Sequence, residues 1–420
     1  MSLQGAMIVV ADGPATDLVD ALGAAGAFPI VEAKWADAPT AFVAVKPATV
    51  VIAEPGAPAS ESSARMLCLQ IATATGSIVP VIARVHGDQE AAIPIALPAD
   101  AALPVERLIA RLQSAMRVRA LHATVLRRIE SSGSHSRLPP FPIGDALDDA
   151  TVLIAGRGPL YPQLSVAMGE RVKMLGALSV ETAAKHINAR DIDGIVVGDG
   201  FSPRMVEAFL TVLAQDTRLR DIPVAVIGNA PPEFAEALPN IEHVDGDPEL
   251  LVARMVPLVR MHAFEARLKR MLKTLDADGM FDPQTGLHTR EAFGQELDKA
   301  AAEAGECSQA LSLARFSFNQ AIDERAGKDG ARLLARLIRT IDFACRDDDG
   351  AILIAFAQTD LRNAHVVARR IAGVLKNTML APPRERDQVA AHVTLATLKA
   401  GDTGDSLMLR VMASRPVAAE

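Results

Sequence analysis

The amino-acid sequence repeats itself. The run MIVVADG at 7–13 returns as TVLIAGRG at 151–158, PATVVIAEPGAP at 47–58 as IDGIVVGDGFSP at 192–203, and VPVIARV at 79–85 as IPVAVIG at 222–228. A recurrence at an offset of about 144 residues constrains the fold more than any single motif, because both copies must build the same supersecondary units. Each run is short, apolar and rich in β-branched residues, and helical stretches such as Arg204–Gln215 separate the runs. Continuous apolar strands alternating with helices indicate a parallel sheet buried on both faces, so two doubly wound α/β domains are expected.

The 420 residues suit about three domains. Between the copies lies ESSGSHSRLPPFPIGDALDDA, whose Ser, Gly and Pro content sustains neither helix nor strand. The boundaries are therefore placed at 1–130 for the first copy, 131–149 for a linker, 150–275 for the second copy and 276–420 for a third domain. A long helix is expected over 105–129. Another is expected over 248–275, where Leu268, Leu272 and Leu275 keep a 4,3 spacing and Pro257 predicts a kink or a later start. The last domain opens with DPQTGLHTREAF. It continues with a helix from Gly330 to Thr340, a strand at 350–356, a helix from Ala364 to Leu375 and a strand at 392–398. This is an α+β pattern, and the tail beyond Pro416 is expected to fray.

Composition narrows the function. Fifty-one Asp and Glu against 43 Lys and Arg leave a net charge of −8, which argues against a general nucleic-acid binder. Thirteen Phe, Trp35 and Tyr161 offer little for stacking platforms. Cys68, Cys307 and Cys345 lie far apart, and the nine His form no HExxH, so neither a zinc site nor a disulfide framework is expected. The N-terminus lacks a basic signal-like region, and no apolar run reaches the roughly 18 residues of a membrane span. A cytoplasmic protein without membrane insertion is expected.

The two copies resemble response-regulator receivers, a flavodoxin-like fold. That resemblance implies an acid pair for Mg²⁺ after the first strand, an acceptor Asp after the third, a hydroxyl after the fourth and a Lys after the fifth, all neutralising an incoming phosphoryl group. In the first copy these positions hold Ala11 and Asp12, Glu54, Val85 or Arg84, and Leu97. In the second, Ala155 and Gly156 replace the acid pair, Gly228 the hydroxyl, and DGDP at 245–248 contains no Lys. Asp199 keeps the acceptor's distance to Pro203, but phosphorylation there is not expected, since nothing nearby would hold Mg²⁺.

In the third domain, Asp282, Thr285, Gly286, Leu287, Arg290 and Phe293 match the opening DxLTGLxNRRxF, with Gln284 and Thr289 departing from it. On these residues the domain resembles a GGDEF domain, the diguanylate cyclase fold, in shortened form. Phe318 and Asp323 also match in an ungapped count. The family's metal-binding Asp falls on Ala314, its guanine-contacting Asn on Ile322, and a later Gly-Asp pair on Gly330 and Ala331. Between Asp349 and the strand ILIAF only Gly350 and Ala351 remain, so the signature hairpin is expected to be absent, and with it metal binding and cyclase activity.

The resemblance also implies a product site, where cyclic di-GMP binds an RxxD motif just before the signature and an Arg on the following helix. RxxD occurs at Arg190, Arg218, Arg339, Arg346 and Arg384, so position selects Arg346 with Asp349, joined by Arg370. An Arg fork reads guanine or clamps phosphate, and a carboxylate accepts from guanine N1 and N2. Asp347 and Asp348 place opposing charge beside such a ligand.

The receiver–receiver–GGDEF order occurs in active cyclases of the PleD-like kind and in catalytically dead effectors of the PopA-like kind. The sequence resembles the second. That implies a cyclic di-GMP effector that recruits protein partners, among them proteolytic adaptors in cell-cycle control. Two alternatives stay open: a phosphorelay regulator of the cyclase family, and a docking scaffold with no nucleotide ligand. Homodimerisation stays open as well.

Overall fold

A computed structural model describes residues 3–53, 61–86, 93–131, 144–228, 234–275, 280–318, 324–377 and 391–413. The expected Glu54, Ile322 and Asp323 positions and the tail beyond Pro416 lie outside the described residues.

The first copy runs β1 (Gln4–Val10), α1 (Thr16–Ala24), β2 (Phe28–Ala33), α2 (Ala38–Val45), β3 (Thr49–Ile52), α3 (Glu61–Ala72), β4 (Val81–Val85), β5 (Leu97–Asp100) and α4 (Val105–Ser131). After a short 3-10 turn at Ala146–Asp149, the second copy runs β6 (Thr151–Ala155), α5 (Tyr161–Gly169), β7 (Lys173–Ala177), α6 (Val180–Ala189), β8 (Gly194–Val197), α7 (Pro203–Gln215), β9 (Val224–Ile227), α8 (Phe234–Ala237), β10 (Ile241–Val244) and α9 (Pro248–Leu275). The strand orders are β2-β1-β3-β4-β5 and β7-β6-β8-β9-β10, the same winding twice. Pairing is parallel, with Val9 opposite Val51 and Ile154 opposite Val196. Successive side chains of β6 enter separate cores: Leu153 and Ala155 pack towards α6 and α7, Val152 and Ile154 towards α5 and α9. A sheet covered on both faces explains why its central strands carry no polar alternation.

The third domain runs α10 (Arg290–Glu306), β11 (Leu311–Phe318), α11 (Glu324–Leu337), β12 (Phe343–Arg346), β13 (Ile352–Ala357), α12 (Leu361–Asn377), β14 (Ala391–Thr397) and α13 (Gly404–Ala413). Its sheet is ordered β12-β13-β11-β14 with antiparallel neighbours. Ala314, Phe316, Ala344 and Ile354 face α11 and α12. Leu311, Leu313, Phe343 and Leu353 face α10 and α13. The architecture is thus two receiver-like, flavodoxin-like doubly wound α/β domains followed by an α+β domain.

Two expectations need correction. Of the two outcomes expected from Pro257, the later start does not occur: α9 starts at Pro248 and carries the proline inside it. One missing i→i−4 bond is a small fraction of the bonds in a 28-residue helix. The signature hairpin is not absent either, because β12 and β13 pair antiparallel from Phe343↔Ala355 to Arg346↔Ile352.

The chain divides into two compact units. The first holds residues 6–119 and 139–269, hence both doubly wound sheets. Inside it, Arg111 of α4 is buried and reaches Glu242 of β10 at 2.5 Å and the Ile241 carbonyl at 3.1 Å, joining the first copy to the second. The second unit holds residues 2–5, 120–138 and 270–420. Within it the end of α4 is fixed to α10 by Arg127–Glu303 at 2.6 Å and Arg128–Glu296 at 3.7 Å. Gln4 accepts from the Ala310 amide and donates to Asp360.

Among the described residues no helix is long and apolar enough to cross a membrane.

Candidate functional site

The motif around Asp282 builds a turn that enters a helix. Its carboxylate accepts from the Thr285 hydroxyl at 2.7 Å and the Gln284 amide at 3.0 Å, and these bonds hold it below the ordinary aspartate range. Gly286 closes the turn at φ +73, a conformation that favours glycine. Thr289 caps α10 by accepting from the Ala292 amide, and Phe293 is fully buried beneath it. Arg290, first in the helix, then reaches Asp347 of the hairpin turn at 3.2 Å.

That turn, Asp347–Ala351, is complete as backbone. The Asp347 amide donates to the Ala351 carbonyl, Gly350 takes φ +82, and the Asp349 carboxylate accepts from the Ala351 amide at 3.0 Å. Ala314, where the sequence resemblance implies a metal carboxylate, is fully buried among Phe316, Ile354 and Leu334.

Of the expected trio, Arg346 and Asp349 belong to the hairpin and Arg370 to α12. Side chains alternate along β12, and Ala344 faces α11 and α12, so Arg346 leaves on that face too. There its guanidinium lies against Gly327 of α11, where a Cβ would come within 3.4 Å of it. Asp349 turns the other way and pairs with Arg315, which alternates with Ala314 and Phe316 and so points to the α10 and α13 face. Arg370 stands exposed on α12. No hydrogen bond or ion pair joins any two of the three among the described residues.

A second RxxD pair stands earlier in the chain. Arg346 and Asp349 lie within the hairpin, whereas Arg339 and Asp342 stand before β12. Arg339 is exposed; Asp342 is buried, accepts from the Ala357 amide at 3.1 Å and donates its own amide to the Arg339 carbonyl. Burial pushes the Asp342 carboxyl up to about 7, against the opposing pull of Arg339. The signal for this pair was present in the sequence as one of five RxxD occurrences. Only the position of the hairpin distinguishes it from the others.

Asp199 sits at the C-terminal end of β8, beside the loop leaving β6. Its carboxylate accepts from the Leu160 amide at 3.3 Å, at the start of α5, and its carbonyl accepts from the Arg157 and Gly158 amides. A Cβ on Gly158 would overlap the carboxylate, so only glycine admits this approach. The two loops are thus closed on each other where a receiver would admit phosphate. In the first copy, Asp12 likewise accepts from the Trp35 amide. Incubation with acetyl phosphate and Mg²⁺ is expected to leave Asp199 unmodified by mass spectrometry. A stoichiometric phosphoaspartate that disappears in Asp199→Asn would overturn this.

No group of three or more His, Cys, Asp or Glu is arranged to hold a metal ion among the described residues. No family model matches the chain, and no curated protein matches it. Among solved structures, the chain is similar to the coiled coil and GGDEF domain of DgcB from Caulobacter crescentus in complex with c-di-GMP, at 24% identity over 35% of this chain and 84% of that one, TM-score 0.29. It is also similar to diguanylate cyclase SiaD in complex with its activator SiaC from Pseudomonas aeruginosa, at 21% identity over 35% and 62%, TM-score 0.31. A third likeness is to the FimX GGDEF domain from Pseudomonas aeruginosa, at 18% identity over 32% and 89%, TM-score 0.29. The functional reading rests on this chain's own residues.

Proposed function

We propose that the protein is a non-catalytic cyclic di-GMP effector, a PopA-like scaffold whose GGDEF-like domain binds the nucleotide and whose receiver-like domains serve protein recruitment. The observation that carries this reading is a complete hairpin whose chemistry has been replaced. Ala314 packs apolar where a carboxylate would hold Mg²⁺, and Asp347 and Asp349 are engaged by Arg290 and Arg315. Condensing two GTP molecules needs charge neutralised on attacking and leaving oxygens, and these side chains supply none of it.

For the ligand, exposed Arg339 and Arg370 hold no carboxylate in an ion pair among the described residues. Guanidinium groups in that condition suit phosphate oxygens and the guanine edge. Arg346, which also makes no ion pair among the described residues, is the comparator. Calorimetric titration with cyclic di-GMP is expected to saturate, with no product formed from GTP and Mg²⁺. Each charge-assisted contact contributes about 1.5–3 kcal/mol, so Arg339→Ala and Arg370→Ala should each weaken binding about tenfold or more. Loss with Arg346→Ala alone would return the ligand to the hairpin turn. No saturable binding in the wild type would leave a docking scaffold without nucleotide.

A further inference from the structure

Helix α12 carries exposed cations that pair with no carboxylate among the described residues. Its sequence, LRNAHVVARRIAGVLKN, contains no Asp or Glu. Arg362, Arg369 and Lys376 recur every seventh residue and are exposed, about 10 Å apart along one line. None of the three makes an ion pair among the described residues. On α11, by contrast, Lys328 pairs with Glu324 and Arg332 with Asp329. Arg362 also stands in the first turn, where the positive end of the helix dipole disfavours a cation.

Two further residues fall on the same line. Val366 lies between Arg362 and Arg369, with 65% of its surface exposed. Gly373 lies between Arg369 and Lys376, and a Cβ placed there would meet nothing within 4 Å. Glycine weakens a helix relative to alanine, and no neighbour among the described residues requires its small size. The face therefore reads cation, apolar, cation, bare backbone, cation, at 4,3 spacing. This is the periodicity with which one helix receives the ridge of another. A phosphate backbone would call for cations alone and a lipid surface for a continuous apolar face of several large side chains; one apolar side chain and an open backbone position between cations suit a side-chain ridge.

We propose that this face of α12 is a docking surface for an acidic helix of a partner protein, with carboxylates repeating every seventh residue and small apolar side chains between them. The proposal rests on the scaffold reading above, since it names where such a scaffold would recruit. Arg370 points about a quarter-turn or more away from this line and is not part of it.

The test uses the full chain and a fluorescent helical peptide of about three heptads with Glu at one position and Ala and Leu at the facing ones. Saturable anisotropy that weakens with added salt is expected, falling at least tenfold both in the triple variant R362E/R369E/K376E and in G373F, which fills the open backbone. Absence of peptide binding overturns the proposal, as does a triple variant that binds like wild type with unchanged circular dichroism. Tighter capture of duplex DNA or of phosphatidylserine vesicles than of the peptide overturns the choice of partner. A cyclic di-GMP titration run beside it separates the two readings: peptide binding without nucleotide binding refutes the nucleotide reading alone.

Discussion

Replacing Arg128 by alanine is expected to destabilise the second compact unit by about 3–5 kcal/mol, the usual cost of leaving one member of a buried ion pair alone. Glu296 is fully buried on α10. Its carboxylate lies 3.7 Å from Arg128 Nε and 2.9 Å from His288 Nε2, and both partners are themselves buried. Burial alone would push the Glu296 carboxyl up; the His288 contact and the Arg128 and Arg127 charges more than offset this and hold it below the ordinary glutamate range. Arg128 also stands over the Phe281 ring at 5.5 Å. Without the guanidinium, Glu296 must take up a proton or open the packing around α10.

Trp35 and Tyr161 both belong to the first unit, so fluorescence would miss this change. Hydrogen exchange of the α10 amides reads it directly. The paired variant Arg128→Met with Glu296→Leu should recover most of the loss, because it removes both charges together. Exchange in Arg128→Ala within about 0.5 kcal/mol of wild type would show that the pair carries no weight.

A second large effect concerns pH. The Asp342 carboxyl, at about 7 when folded against 3.8 for the free side chain, holds its proton more tightly in the folded state. Its contribution to stability is therefore complete below about pH 4 and is lost as the pH rises through 7. The loss by pH 8 is on the order of 4 kcal/mol. Asp342→Asn keeps an acceptor for the Ala357 amide and cannot ionise, so its stability should vary far less over that interval. The difference between variant and wild type is the quantity to measure. Asp402, held down to about 2 by Arg410, works in the opposite direction and loses its contribution only in strong acid. Parallel profiles for the two proteins between pH 5 and 8 would mean that Asp342 is ionised in the fold at no cost.

The central strands were legible because burial on both faces forces a continuous apolar run, as in β3, β8 and β13. The repeat then fixed their winding twice over. β2 and β7 were less legible: they are edge strands, partly exposed, and FPIVEA and KMLGA carry no such run. The hairpin is hard to read in the sequence for a different reason. Its backbone needs only a glycine at positive φ and an aspartate that accepts from the Ala351 amide, and RDDDGA provides both. Without GGDEF side chains, no motif in the sequence marks that backbone. The pairing of Arg315 with Asp349, or of Arg127 with Glu303, depends on which helices cover which face, and no local pattern announces that.

The second unit is assembled from three stretches of chain, and this sets a timetable for its synthesis. Gln4 and the end of α4 leave the ribosome long before Asp360, the acceptor for Gln4, has been made. At about 5–20 residues per second, Gln4 waits tens of seconds for that partner. Arg127 and Arg128 wait nearly half as long for Glu303 and Glu296. During that interval the last turns of α4 present their apolar and cationic side chains to solvent without a fold to receive them. The sequence order of this protein is therefore also an order of exposure, in which the earliest-made pieces of the last unit are the ones left longest to chaperones and proteases.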